Sequence, residues 1–296
     1  MTEIDDEQAE LASVAQEAAE LGIDAPPPIR RINGVLSALR WGTEPATAVW
    51  LHGAGLNAHT FDGTILSCGL PSIALDLPGH GHSAWREDAD YRPETNAETV
   101  AQALGAFDLR AGGAVVVGHS LGGLTAIALA DRHPERVAGL VVVDVSPGLQ
   151  AGDAQPVRDF LDGATSFGSR QEIVDRAVRF GFGGSPTALR RGVELNTRIR
   201  EDGRVMFRHH FAQLPAGRQL PPHFGALWPM AERLHVPVLL VRATQGFLSD
   251  ALEAEFVARV PGSTVTRIDS GHNVQEQAPA ELAAVVARFV DEVAGR

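Results

Sequence analysis

The sequence predicts an α/β fold in which a mostly parallel central sheet is flanked by helices and carries an inserted helical cap. Two observations lead to this prediction. Short runs of Val, Ile, Leu and Ala alternate with helical segments before residue 149 and again after residue 234, as in parallel sheets that are covered on both faces. Between these parts the alternation stops and phenylalanines are concentrated, which is typical of a cap inserted between two strands.

Composition narrows the class of protein. With 296 residues, 44% of them hydrophobic, the chain suits one large α/β domain or a domain with an insertion. The net charge is −12 and all 25 basic residues are arginines without a basic cluster, so no nucleic-acid partner is expected. The single cysteine, Cys68, fits a reducing compartment. Because the acidic N-terminus has no signal pattern and no apolar run could span a bilayer, we expect a cytoplasmic protein without a membrane partner.

The chain divides into three predicted parts. Residues 1–28 form an acidic N-terminal helix or extension, which we expect to pack loosely or to be partly disordered, and a run of three prolines ends it. Residues 29–148 and 235–296 form the core domain, and residues 149–234 form the helical cap.

Each core strand is predicted from a short apolar run. Asn33-Gly34, between two such runs, is a strong signal for a β-hairpin. The later runs have the continuous apolar character of buried strands and end in loops rich in glycine or proline. The predicted strands are 29–32, 35–41, 47–51, 72–77, 114–117, 138–145, 236–242 and 264–268. The predicted helices include 96–107, 250–260 and 279–293.

The strand at 114–117 runs into Gly118-His119-Ser120-Leu121-Gly122, and an Ala- and Leu-rich helix begins at once. In a Gly-x-Ser-x-Gly turn between a strand and a helix, the serine hydroxyl is raised above the edge of the sheet. Glycines are needed on either side because side chains there would collide with the neighbouring strand and helix. The helix directs its N-terminal amides toward charge that develops beside the serine. Ser120 is therefore predicted to be a nucleophile.

Three further motifs accompany this turn. They are His52-Gly53-Ala54-Gly55, the segment DLPGHGHSAWRED at residues 76–88, and Ser270-Gly271-His272 after the last strand. In this order, with a cap before the final histidine, the motifs resemble the α/β-hydrolase fold family from about Ile29 to the C-terminus. The long segment at 76–88 resembles a mycobacterial serine ester hydrolase more specifically. The resemblance implies that His272 is the base that activates Ser120. His80 and His82 lack the further ligands of a zinc site, and no metal or other cofactor is expected.

The acid that orients the histidine has two candidates. Most relatives place it just after the strand that ends at Arg242, where this chain has Gly246-Phe247. Asp250 follows about three residues later, but its position favours a helix cap. Asp144 lies at the end of the predicted strand 138–145, which follows the helix after Ser120, and this is the other location from which relatives supply the acid. We favour Asp144, which would hold the imidazole in its productive tautomer, and Phe247 would then form a wall of the pocket.

The resemblance also implies an oxyanion hole formed by the amides of Ala54 and Leu121. The expected substrate-binding residues are Gly55, His119, Phe182, Trp228 and Phe247. The predicted function is a serine hydrolase that cleaves carboxylic esters of small to medium acyl length through a Ser-His-Asp triad and an acyl-enzyme. Fold and triad leave open a C–C bond hydrolase, a thioesterase, a cofactor-free haloperoxidase or perhydrolase, and a non-catalytic ligand receptor. A small-molecule ester is the expected partner, and the protein is expected to be a monomer or homodimer.

Overall fold

A computed structural model describes residues 3–295, apart from residues 151, 154, 216–220 and 222. Its centre is an eight-stranded sheet with the order β1-β2-β4-β3-β5-β6-β9-β10, and β7 and β8 form a separate hairpin. Within the described residues the strands are β1 (Ile29–Ile32), β2 (Ala38–Trp41), β3 (Ala48–Leu51), β4 (Ser72–Leu75), β5 (Ala114–His119), β6 (Val137–Val143), β7 (Thr197–Ile199), β8 (Val205–Phe207), β9 (Val238–Gln245) and β10 (Thr264–Gly271).

The predicted mostly parallel sheet is confirmed. Only the pairs β1–β2 and β2–β4, at one edge of the described sheet, are antiparallel. Every residue of the central strands β3 and β5 is buried, since helices cover both faces. Along β3, Val49 and Leu51 join the core on one face, whereas Ala48 and Trp50 join the core on the other. The predicted hairpin between β1 and β2 is present, but its connection spans residues 33–37 and not the two-residue turn that Asn33-Gly34 alone would make.

Helices lie on both faces of the sheet. Residues of α3, α4, α8 and α9 belong to the core on one face, and residues of α1, α2 and α11 belong to the core on the other. None of the helices that the structure describes is both long and apolar enough to cross a membrane. The described helices are α1 (Glu3–Glu20), α2 (Asp62–Cys68), α3 (Pro93–Leu104), α4 (Leu121–Arg132), α5 (Gln155–Leu161), α6 (Arg170–Arg179), α7 (Pro186–Leu195), α8 (Trp228–Ala231), α9 (Asp250–Arg259), α10 (Val274–Gln277) and α11 (Pro279–Ala294).

The N-terminal helix α1 is docked firmly, so the expectation of loose packing is wrong. Val14 and Ala18 are buried in the core beneath the sheet. Glu10 is only 6% exposed, and its Oε2 lies 2.8 Å from Nη2 of Arg31. Burial disfavours the Glu10 carboxylate, but the neighbouring His59, a hydrogen bond from His82 and the charge of Arg31 outweigh it and hold the pKa well below its ordinary value.

The segment at 149–234 contains the predicted helices, but it is not helical throughout. β7 and β8 pair as an antiparallel hairpin, with Thr197 opposite Phe207. All residues of β8 are buried, and the ring of Phe207 packs edge-on against Phe160 and Phe167. Strands of three residues are too short for alternation to be recognised in the sequence, which is why the hairpin was not predicted.

Candidate active site

Ser120 occupies the turn between β5 and α4 in a strained conformation. Its φ is +51°, which is unusual for a residue with a side chain, and its N–H donates to the carbonyl of Val143 at 3.1 Å. A Cβ atom at Gly122 would lie 2.7 Å from the carbonyl oxygen of His52 and closer still to that of Leu51. The predicted steric need for glycine there is confirmed. The tight turn leaves Ser120 half-buried in the wall of a cavity.

His272 follows β10 and lines the same cavity as Ser120. Its Nδ1 donates to Oδ2 of Asp144 at 2.8 Å, and both side chains are buried. The ring of Phe247 stacks on the imidazole with 3.8 Å between centroids and an interplanar angle of 20°. Phe247 does not line the described cavity, so its predicted place in the pocket wall is wrong, and its ring packs against the imidazole of His272 instead. Because Nδ1 is engaged by the carboxylate, Nε2 is the nitrogen left for the serine.

Asp144 is fixed by the backbone as well as by His272. Its Oδ1 accepts from the N–H of Ala243 at 3.1 Å, and its Oδ2 accepts from the N–H of Phe247 at 3.0 Å. These bonds stabilise the charged carboxylate in a fully buried position. The φ of Asp144 is +47°, so this residue, like Ser120, has a strained backbone.

Asp250 lies away from the imidazole. Its side chain is 95% exposed, and Oδ1 pairs with Nη1 of Arg242 at 2.6 Å. The helix cap of α9 is Ser249, whose Oγ accepts from the N–H of Leu252. Of the two candidate acids, the structure therefore brings Asp144 to His272 and leaves Asp250 on the surface.

Gly246 explains why the loop after β9 holds no acid. A Cβ atom at this position would lie 2.6 Å from Oδ1 of Asp144 and closer still to Oδ2. The Asp144 carboxylate thus fills the space that a side chain in this loop would enter. The aspartate at 144 therefore requires a residue without a side chain at 246.

Replacement of Gly246 by alanine is expected to lower kcat/KM for ester hydrolysis by about 10²-fold, since the new methyl group displaces the carboxylate and with it the imidazole. Steady-state kinetics on a p-nitrophenyl ester measures this effect. Gly225→Ala is the matched control, because an added Cβ there meets no atom within 4 Å. Equal activity of the two variants would contradict the steric coupling between positions 246 and 144.

Two buried histidines hold the loop at 52–55. Nδ1 of His52 donates to the carbonyl of Gly53 at 2.7 Å, and Nε2 accepts from the N–H of Leu77 at 2.9 Å. Nε2 of His80 accepts from the N–H of Gly55 at 3.1 Å. Burial lowers the pKa of His52 to about 4, so it stays neutral at neutral pH and keeps its acceptor nitrogen. Both histidines therefore hold this loop through bonds to backbone atoms.

The amides of Ala54 and Leu121 flank the serine. Ala54 lines the cavity beside Ser120, and Leu121 is the first residue of α4. The first amides of a helix have no acceptor within the helix, and in the described part of the chain neither amide donates to a backbone carbonyl. Both N–H groups therefore lack a backbone acceptor among the described residues.

His119 supports the segment that carries His272. Its Nε2 donates to the carbonyl oxygen of His272 at 2.9 Å, and the two rings are 4.6 Å apart. Burial lowers the pKa of His119, which keeps the ring neutral. His119, one of the expected substrate-binding residues, also lines the cavity.

The cavity is lined mostly by apolar side chains from the segment at 149–234. Gly55 and Phe182, two of the expected substrate-binding residues, line it. Sequence reasoning did not assign Phe207 to it, because β8 was not recognised. The apolar lining residues from the insertion include Phe160, Leu161, Ile173, Phe182, Val193 and Phe207.

Trp228 is not a residue of this cavity, so its predicted substrate-binding role is wrong. Its ring packs against Phe256, with 6.3 Å between centroids, and under the guanidinium of Arg259 at 4.1 Å. α8 follows the hairpin and packs against α4, which places Trp228 in the core on one face of the sheet. Aromatic content alone does not reveal which way a side chain points.

No group of three or more His, Cys, Asp or Glu side chains in the described residues is arranged to hold a metal ion. His80 bonds to backbone atoms of Pro78 and Gly55, and His82 bonds to Glu10. These two histidines therefore serve the packing of the loop and of α1.

A parallel sheet with a strained serine turn, a histidine held by a buried carboxylate and an apolar cavity above them defines the class of α/β-fold hydrolases. The chain belongs to the alpha/beta hydrolase family, whose model matches residues 48–285. The fold class and the resemblance predicted from the sequence are thereby confirmed.

Relatives within the family include esterases and lipases. The chain is 38% identical over 293 residues to esterase Rv0045c of Mycobacterium tuberculosis, covering 95% of this chain and 96% of that protein. The crystal structure of that esterase aligns with a TM-score of 0.81 over 95% of this chain and 98% of the solved chain. Lipase LipV of the same organism is 29% identical over 232 residues, covering 73% of this chain and 82% of that protein.

Proposed function

We propose that the protein is a serine esterase that cleaves carboxylic esters of small to medium acyl length through an acyl-enzyme. The observation that carries the proposal is the bond between His272 Nδ1 and Asp144 Oδ2 at 2.8 Å, with Ser120 on the wall of the same cavity. The 38% identity to an esterase over 95% of this chain supports the ester as substrate class.

In the proposed mechanism, His272 Nε2 takes the proton of the Ser120 hydroxyl as the oxygen attacks the ester carbonyl. The amides of Ala54 and Leu121 donate to the oxyanion that forms, and such preformed donors contribute about 3–4 kcal/mol each to transition-state stabilisation. His272 then gives its proton to the departing alcohol oxygen. Water repeats the sequence on the acyl-enzyme and releases the acid.

Asp144 has a positioning role in this scheme. Its carboxylate keeps Nδ1 protonated, so that Nε2 is free to accept the serine proton, and its negative charge stabilises the imidazolium. Two backbone donors and the stacked ring of Phe247 limit the movement of this pair. A ligand receptor has no need of such an arrangement, which favours an enzyme over the receptor alternative.

The apolar cavity is the proposed acyl site. Turnover of p-nitrophenyl esters from acetyl to dodecanoyl tests the function, and an optimum at short to medium acyl length is the expected result. Absence of turnover across the whole series would overturn the proposal.

Phe182→Ala is expected to shift the acyl optimum to longer chains by enlarging the cavity. The ratio of kcat/KM for a longer ester to that for the best wild-type ester should change by about tenfold, the effect of one methylene in an apolar pocket. Trp228→Phe is the matched control, since Trp228 packs outside the cavity, and it should keep the wild-type acyl profile. An unchanged profile for Phe182→Ala would mean that the acyl chain binds elsewhere.

A further inference from the structure

A second cavity lies beside the active-site cavity and differs from it in the chemistry of its lining. The two cavities share a wall that is formed by Ala188, Gly192, Asn196 and Glu276. Where the first cavity is apolar, the second is lined mainly by polar and charged side chains, among them Glu17, Thr60, Arg191 and Gln275. Nothing in the catalytic scheme above uses it.

A chain of hydrogen bonds runs along the second cavity toward His272. Nε2 of Gln275 donates to Oγ1 of Thr60 at 3.1 Å, and that hydroxyl donates to Oε1 of Glu276 at 2.7 Å. Oε2 of Glu276 accepts from Nδ2 of Asn273 at 3.0 Å, and Asn273 directly follows His272. These hydrogen bonds thus connect the polar lining of the second cavity to the residue that follows His272.

Two buried polar atoms around this cavity have no hydrogen-bond partner among the described residues. Oε1 of Gln275, in a side chain that is 1% exposed, is an acceptor, and Nε of Arg191 is a donor. Both residues line the cavity. Leaving such groups unsatisfied in a protein interior costs about 1–3 kcal/mol each. A ligand that both donates and accepts hydrogen bonds would satisfy them.

Charge excludes ionic ligands from this position. Nη1 of Arg191 already pairs with Oε2 of Glu17 at 2.6 Å, and Nη2 pairs with Oδ2 of Asp62. A carboxylate would meet these acids, and a cation would meet the guanidinium. The group that fits is neutral, and a hydroxyl both donates and accepts.

Gly192 leaves space in the wall between the two cavities. It lies inside α7, where glycine costs about 1 kcal/mol relative to alanine. An added Cβ there would meet no atom within 4 Å. The absent side chain keeps open the region that a ligand spanning both cavities would cross.

From these observations we infer that the second cavity binds the alcohol part of the substrate, and that the substrates are esters of a polyhydroxylated alcohol such as glycerol. The inference rests on the proposed esterase function. The histidine gives its proton to the departing alcohol oxygen, so the alcohol leaves on the side where Asn273 and Glu276 lie. The acyl chain then occupies the apolar cavity, and the hydroxyl groups of the alcohol reach Gln275 and Arg191.

The test compares monohexanoylglycerol with propyl hexanoate, which share the acyl group and the three-carbon alcohol and differ only in two hydroxyl groups. Release of hexanoic acid is followed for both esters. Wild-type kcat/KM is expected to be about tenfold higher for the glycerol ester, the worth of one net hydrogen bond. In Gln275→Met and in Thr60→Val this preference should fall to near one, while Gln102→Met, an exposed position on α3, should keep it.

The outcomes separate the two proposals. If neither ester nor any p-nitrophenyl ester is hydrolysed, the proposed function itself fails. If both esters are hydrolysed at equal rates by the wild type, only the inference about the second cavity is overturned, and the cavity holds water alone. A glycerol preference that survives in both Gln275→Met and Thr60→Val, with melting temperatures showing folded proteins, would also overturn it.

Discussion

Ser120→Ala is expected to lower kcat for ester hydrolysis by about 10⁶-fold, the scale on which loss of a serine nucleophile acts when histidine and serine work as one unit. The change removes a single oxygen atom. The strained φ at position 120 and the close packing at Gly122 do not depend on that atom, so the melting temperature should stay close to that of the wild type. Kinetics on a p-nitrophenyl ester and thermal unfolding measure both quantities.

A fluorophosphonate probe adds an independent readout, because it labels an activated serine covalently. The wild type should be labelled and Ser120→Ala should not. Ser67→Ala, at an exposed position of α2, removes the same atom from a helix and should retain labelling and activity. Retention of most activity in a folded Ser120→Ala protein would exclude a serine mechanism.

Asp144→Asn is expected to lower kcat by about 10⁴-fold, the effect of replacing a triad aspartate by its amide. The amide preserves shape, but its NH₂ group can donate to Nδ1 and thereby stabilise the imidazole tautomer that has its proton on Nε2. That tautomer cannot accept the proton of Ser120. The loss should appear in kcat for every ester in the series.

Asp250→Asn is the matched control, because it removes the same charge at a position that is exposed and paired with Arg242. It should leave kcat within about twofold of the wild type, since surface ion pairs contribute at most about 1 kcal/mol. If Asp250→Asn lost most of its kcat while Asp144→Asn kept a nearly normal kcat, Asp250 and not Asp144 would be the acid.

The parts of the molecule that could be predicted from sequence depend on local rules. Continuous apolar runs revealed the central strands, and the glycines around Ser120 revealed the sharp turn, because sterics leave few other residues there. Asp250 was set aside because the start of a helix favours a capping role, and Asp144 was favoured because the resembled family also supplies the acid from that strand.

The remaining features depend on contacts between distant segments. The burial of Glu10 needs Arg31 and His82, which the helical pattern of α1 does not reveal. The polar cavity is assembled from α1, α7, α10 and the turn at Thr60, so no single motif marks it. Trp228 and Phe207 are both aromatic residues of the insertion, and only their packing separates a core residue from a cavity wall.

The contact between position 246 and Asp144 also constrains how such enzymes diverge. An acid introduced at 246 while Asp144 is retained would force its Cβ to within 2.6 Å of the existing carboxylate, whereas loss of Asp144 alone would leave the imidazole without its anion. Each single substitution therefore passes through a defective enzyme, and the effect of either one on fitness depends on the other. Lineages with the acid on either strand should stay separate unless both positions change together.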